Sequence, residues 1–246
     1  MCEACRVEER QRLAGPSRRF VLASLGASAV SAVLLSGARA KEAGPPPKPQ
    51  NVVSPDQALK LLESGNARYV AGVSRRRDIR RERRALVAGQ NPYAGVLSCA
   101  DSRVAPEYAF DAGLGDLFVC RVAGNFADDD VVASFEYAVS HLGAPLIMVL
   151  GHDSCGAVDA TLESLKDGTT LPGHLPSLVA SIAPAVKSSA GLPGDPLANA
   201  IRQNVIDNVA KLKSASPILD AAVGQGKLKI VGAIYRLASG RVDAVA

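Results

Sequence analysis

The 246-residue chain contains no tryptophan and only five phenylalanines and five tyrosines. That poverty argues against the aromatic platforms on which proteins stack single-stranded nucleic acid. An excess of one charge is missing as well. Six of the 28 basic and three of the 24 acidic residues fall within positions 1–40, leaving 22 against 21 in the rest. A body so close to neutral has no field for steering a polyanion, and no nucleic-acid partner is expected. Nor is there an apolar run fit to span a bilayer: Phe20–Leu35 is short and interrupted by Ser24, Ser28 and Ser31. Cysteine is scarce too. Beyond Cys2 and Cys5 only Cys99, Cys120 and Cys155 remain, an odd number that excludes a disulfide scaffold.

What is present, 48% hydrophobic and 21% charged residues, suits one globular domain with extra sequence attached. Residues 1–40 read as an export signal: basic Arg18 and Arg19, the apolar stretch, then a small-x-small Ala38-Arg39-Ala40 cleavage site. The paired arginines after Ser17 resemble a twin-arginine signal, so the expected location is periplasmic, with no stable membrane insertion once the signal is removed. That route carries folded proteins, so thiolates would be metal-loaded before meeting an oxidising compartment. Cys2 and Cys5 have C-x-x-C spacing but no second pair and are read as incidental. Residues 41–53, "KEAGPPPKPQNVV", form a Pro-rich linker. The domain is expected over 54–246.

Within it, Ser54-Pro55-Asp56-Gln57 combines an N-cap, a proline at the first helical position and a Gln three residues on, predicting a helix to about Gly65. Seven arginines lie between Arg75 and Arg84. With Asp78 and Glu82 interleaved they read as a solvated helix face rather than an anion site. From Tyr93 onward, apolar runs alternate with amphipathic stretches. "YAGVLS", "DLFVCRV" and "PLIMVLG" predict buried strands. Helices are expected at "VVASFEYAVSHL", with Val132, Phe135, Val139 and Leu142 on one face, from about Cys155 to Leu165, and through Leu197, Ile201, Val205, Val209 and Leu212. A Gly- and Pro-rich loop follows Leu165, and "KLKIVGAIY" is a late strand. The pattern predicts an α/β fold with a mainly parallel central sheet flanked by helices.

Two short stretches carry chemistry. In "SCADSRV", Cys99, Asp101 and Arg103 alternate, which in extended backbone puts them on one face. Alone, the triplet reads more readily as a salt bridge beside a core cysteine. "GHDSCGAV" supplies His152 and Cys155 directly after another strand. Ligands gather where parallel strands end, so Cys99, His152 and Cys155 are expected together although 53 residues separate the first two. Two thiolates and one imidazole are a zinc set, and three protein ligands rather than four is the catalytic pattern. Cys155 also stands where a helix begins, so the helix dipole should favour its thiolate. The amide of Gly156 is placed to reach a ligand or substrate.

"CADSRV" with "GHDSCGAV" resembles the β-class carbonic anhydrases, and "GQNPYAGVLSCADSRV", "GDLFVCRVAGN", "SFEYAV", "NVIDNVAKLKSASPIL" and "LKIVGAIYRLASGRV" extend the likeness over roughly 54–246. The resemblance implies one Zn2+ per chain held by Cys99, His152 and Cys155, and reversible hydration of carbon dioxide by zinc-bound hydroxide. It implies that Arg103 holds Asp101 ionised and aimed at that hydroxide. Some members of the family close the site by placing this aspartate on zinc; here an open site, with water on the metal, is expected. Gln90 matches a substrate-binding glutamine, and Phe118 and Tyr137 match apolar positions of the carbon dioxide pocket. Arg121 lies near a segment used in the family for bicarbonate regulation. A homodimer or homotetramer is implied. Two other readings stay open: hydrolysis of carbon disulfide or carbonyl sulfide on the same scaffold, and a non-catalytic zinc or anion-binding protein. His141, at a helix end, reads as a surface residue.

Overall fold

The computed structural model describes residues 53–245. The expected signal, most of the expected linker and the Cys2–Cys5 pair lie outside them. A five-stranded sheet of order β2-β1-β3-β4-β5 is formed by β1 (Ala94–Ser98), β2 (Leu117–Arg121), β3 (Leu146–His152), β4 (Lys229–Tyr235) and β5 (Val242–Ala244). The first four strands are mutually parallel and β5 returns antiparallel to β4. The mainly parallel sheet thus matches the alternation in the sequence.

Strand β3 shows how the layers arise. All seven of its residues are buried, so its side chains alternate between two apolar cores. Ile147 and Val149 enter one core with Leu97, Ile182, Ile201, Val205 and Leu212. Leu146, Met148 and Leu150 enter the other, with Leu62, Val96 and Phe110. The first core is covered by α4 (Asp129–Ser140), α5 (Gly156–Asp167), α6 (Leu175–Ser188), α7 (Pro196–Lys213) and α8 (Leu219–Gly224); the second by α1 (Pro55–Val70) and α3 (Pro106–Ala109). The short helix α2 (Ile79–Ala85) buries none of its residues.

Several expectations need correcting. Ser54 and Gln57 do form the reciprocal capping box, but α1 continues past Gly65 to Val70. Gly65 does not end the helix; it allows a close approach, since a Cβ there would sit 1.9 Å from the backbone oxygen of Phe110. Gly65→Ala is therefore expected to cost about 3 kcal/mol or more, because backbone, not a flexible side chain, must yield. Urea unfolding checks this, and a loss under 1 kcal/mol would refute the tight contact. Strand β2 is an edge strand, only partly buried, because among the described residues nothing pairs beyond it. In α4 the fully covered positions are Val131, Phe135 and Ala138, so the core face is turned by one residue from the expected Val132–Val139 stripe.

The Gly- and Pro-rich stretch after α5 contains the helix α6, with Pro184 inside it. Proline in a helix interior removes one hydrogen bond, yet Ile182 and Ala185 are buried, so packing outweighs that local penalty. The arginine run is divided. Arg77 reaches Glu82, Asp116 and the backbone of buried Asp111, which also takes a 2.6 Å bond from Arg68. Most of the other arginines are exposed, as a solvated face requires.

Candidate metal centre

Parallel pairing places β1 beside β3 with Ser98 opposite Leu150, so the residues that follow both strands leave the same edge of the sheet. Cys99 comes one residue after β1, and His152 closes β3. Ser154 adopts a left-handed conformation, φ 54°, which reverses the chain between His152 and Cys155. Cys155 is then the N-cap of α5. The result is a buried cluster in which one ligand atom each from Cys99, His152 and Cys155 lies within 4.8 Å of the others.

Its dimensions suit zinc. The two Sγ atoms are 4.0 Å apart, far beyond the roughly 2.05 Å of a disulfide. Two sulfurs at about 2.3 Å on a tetrahedral ion stand about 3.8 Å apart. Nδ1 of His152 is engaged with the carbonyl oxygen of Asp153 at 2.8 Å, which fixes the proton there and leaves Nε2 as the lone-pair donor. Nε2 is buried and has no hydrogen-bond partner among the described residues. A buried imidazole nitrogen facing two sulfurs is costly unless something binds it, and a soft-ligand divalent ion does so.

Asp101 and Arg103 stand beside the cluster, but not by strand alternation. The extended backbone stops at Ser98, and a turn follows, closed by Val104 N–H on the carbonyl of Asp101. The Asp101 carboxylate accepts from the Arg103 backbone amide and Nε at 2.9 Å on one oxygen, and from Nη2 at 2.7 Å on the other. That second oxygen is 3.8 Å from His152 Nε2. The fork from Arg103 holds the carboxyl well below the usual carboxylate range, against the opposing effect of burial, so it is ionised throughout neutral pH.

Comparison with known proteins identifies the family. The carbonic anhydrase family model matches residues 94–242. The chain is 43% identical over 189 residues to "Carbonic anhydrase 2" of Mycobacterium tuberculosis, covering 76% of this chain and 91% of that one. It is 45% identical over 193 residues to the carbonic anhydrase of Mycolicibacterium smegmatis, covering 77% and 93%. The tetrameric β-carbonic anhydrases of the ascomycete Sordaria macrospora share the fold, with a TM-score of 0.58 at 23% identity over 65% of this chain and 83% of that one. The chain belongs to the β-class carbonic anhydrase family.

As a β-carbonic anhydrase it is a zinc enzyme, and Cys99, His152 and Cys155 are the residues that fit the ion. The thiols perturb each other strongly. Cys99 is lowered to about 4, first by its hydrogen bond with Cys155 and further by His152 and the Gly124 amide. Cys155 is pushed up, first by Cys99 and then by burial, with the amides of Val158 and Ala157 pulling the other way. The expected lowering at the helix start is thus present but outweighed by the neighbouring sulfur, until a cation relieves the conflict. For His152, burial opposes the charged form, while the neighbouring sulfur and charge of Cys99 raise it to a net upward shift.

The remaining family positions are spread out within one chain. Gly156 opens α5 next to the cluster and is exposed. Gln90 is exposed in the loop before β1, at the opposite end of the sheet from Cys99. Phe118 pairs with Gly95, four residues short of Cys99 and so roughly 13 Å back along the sheet. Tyr137, 47% exposed, lies on α4 with its ring 6.4 Å from that of Phe118. His141 caps α4 and stacks on Tyr137, exposed as expected. Arg121 has a use that the sequence did not indicate. Its Nε donates to the carbonyl of Cys99 at 3.1 Å and its Nη2 to that of Asp101 at 2.8 Å, tying ligand and carboxylate to one guanidinium.

Proposed function

We propose that the chain catalyses the zinc-dependent, reversible hydration of carbon dioxide to bicarbonate and a proton, with Asp101 and Arg103 directing the attack. The observation that carries this reading is the buried Cys99–His152–Cys155 cluster with an ionised, Arg-clamped carboxylate 3.8 Å from its imidazole. Zinc, when bound, lowers the pKa of a coordinated water from 15.7 to about 7 and so supplies a nucleophile at neutral pH. Asp101, acceptor-only and ionised, takes a hydrogen bond from the nucleophile's O–H and so turns its lone pair towards carbon dioxide. Arg103 keeps that carboxylate charged and fixed in orientation. A purely structural metal site gives this pair no task, and no observation favours a sulfur-containing substrate.

Stopped-flow hydration by the zinc-loaded chain, with metal content measured on the same sample, tests the assignment. Zinc near one per chain with hydration at the buffer rate would sink it. Carbon disulfide run in parallel separates the hydrolase alternative.

Gln90, Phe118 and Tyr137 contact substrate, in this reading, from a neighbouring subunit of a homodimer or homotetramer. What supports it is their position: they lie away from their own cluster, and Tyr137 is exposed along the edge strand β2. Light scattering at assay concentration tests this, and an active monomer would refute it. Export through the paired Arg18 and Arg19 rests on the sequence alone. Fractionation of cells expressing Arg18→Lys/Arg19→Lys beside the parent chain is the test; unchanged periplasmic recovery would overturn the twin-arginine route.

A further inference from the structure

Two buried asparagines on α7, Asn204 and Asn208, face the loop that leads from β2 to α4. The loop is held in a costly shape. Gly124 has φ 86° and Asn125 has φ 41°, two left-handed residues in succession, the second not a glycine. Nδ2 of Asn125 is buried with no hydrogen-bond partner among the described residues. Such a conformation persists only where its surroundings over-determine it.

The asparagines supply that restraint on both sides of Asn125. Nδ2 of Asn204 donates to the carbonyl of Gly124 at 2.8 Å, and Oδ1 of Asn208 accepts from the amide of Ala127 at 2.7 Å. Nδ2 of Asn208 donates to Oδ1 of Asn204 at 3.1 Å, which turns the Asn204 carboxamide with its nitrogen towards Gly124. The residue so fixed touches the metal centre: the amide of Gly124 donates to Sγ of Cys99 at 3.3 Å. A side chain on Gly124 is excluded as well, since a Cβ would lie 2.4 Å from Cδ1 of Ile182. The bare amide therefore meets the sulfur at a place and angle set from α7.

We propose that Asn204 is a positioning residue for the zinc ligand Cys99, acting through the Gly124 amide to limit the electron density that the thiolate gives the metal. The proposal rests on the zinc reading above and adds a residue remote in sequence from every ligand. An N–H donor on a metal-bound thiolate withdraws charge from sulfur, and such outer partners typically alter metal affinity 10- to 100-fold. Asn208 orients Asn204 and has the supporting part.

The test compares the parent enzyme with Asn204→Leu, of similar volume but without a donor, in zinc and cobalt(II) forms. Ile201→Val on the same helix is the control: it trims a buried apolar contact and leaves the loop's hydrogen bonds alone. The expected result is a thiolate-to-cobalt absorption band moved to longer wavelength and a rate of zinc loss to a chelator changed about 10-fold in Asn204→Leu, with neither change in the control. Should Asn204→Leu not fold, Asn204→Ser, one bond too short to reach the Gly124 carbonyl, gives the same comparison. An unmoved band and an unchanged chelation rate beside a lowered melting temperature would reduce Asn204 to a structural residue and overturn the proposal. Absence of any thiolate band in the parent protein would instead overturn the zinc–thiolate reading beneath it.

Discussion

Cys155→Ser is expected to empty the metal site while leaving the fold in place. Serine is nearly the same size as cysteine, so the buried N-cap of α5 is not disrupted sterically. Its hydroxyl, however, stays protonated near neutrality and is a poor partner for an ion selected by soft thiolates. If four ligands share the roughly 10–16 kcal/mol typical of structural zinc, losing one costs about 3–4 kcal/mol, or about 10²- to 10³-fold in affinity. After dialysis against a weak chelator, zinc should fall from near one per chain to a small fraction, and hydration should fall in proportion. The melting temperature of the variant should no longer respond to added zinc, because stabilisation by a ligand requires that it bind the native state. Acid should mimic the substitution in the parent enzyme. Cys99 and Cys155 titrate as a coupled pair and both must lose their protons to hold metal, so as pH falls protons compete for the pair and zinc retention must decline. Full zinc retention by Cys155→Ser, read by metal analysis, would remove Cys155 from the site.

The site's plan was legible because parallel topology does the placing. Once "YAGVLS" and "PLIMVLG" are strands joined by crossovers, the residues after them must share an edge, and the side chains there are Cys99, His152 and Cys155. Chain reversal in "HDSC" could not be read, since Ser154 adopts φ 54° without a glycine to announce it. The same holds for Asp101 and Arg103. Strand alternation was the wrong reason for their meeting; the strand ends at Ser98 and a side-chain-closed turn brings them together. Helix α6 was hidden by Pro172, Gly173, Pro176 and Pro184, which local propensity reads as loop, whereas burial of Ile182 against α5 and α7 decides otherwise. Arg121 and Asn204 were invisible for another reason. Each acts on backbone atoms across more than 20 residues, and such bonds leave no local pattern. The one available signal was the polar pair at i and i+4 on the apolar face of α7, where Asn204 and Asn208 interrupt Ile201, Val205 and Val209.

Asp101→Asn is expected to separate metal binding from catalysis. The carboxylate is not among the three clustered ligands, and one of its oxygens stands 3.8 Å from Nε2 of His152. Zinc content should therefore stay within about twofold of the parent, since changing an outer partner costs far less than losing a ligand. The amide nevertheless fails at the reaction. It carries no charge, and one of its two positions is a donor, so it cannot both satisfy Arg103 on two sides and accept from the attacking O–H. Turnover should drop roughly 10²- to 10³-fold, the range for a positioned proton-accepting group. KM should change little, because carbon dioxide offers Asp101 no charge to bind. The pH behaviour follows in sign from the lowered carboxyl pKa. Asp101 stays ionised down to pH values far below the working range, so it does not set the acid limb of the parent's activity, and Asp101→Asn should lower the whole profile without moving its midpoint. Its contribution to folding is present above the unfolded carboxyl pKa of about 3.9 and is lost as pH falls through the lower folded value. That contribution is small, since Arg103 is largely solvated. Rapid-mixing kinetics across pH with zinc measured in each sample checks these statements together. Zinc loss equal to that of Cys155→Ser would mean that Asp101 belongs to the metal shell, and the division between holding the ion and directing the attack would have to be abandoned.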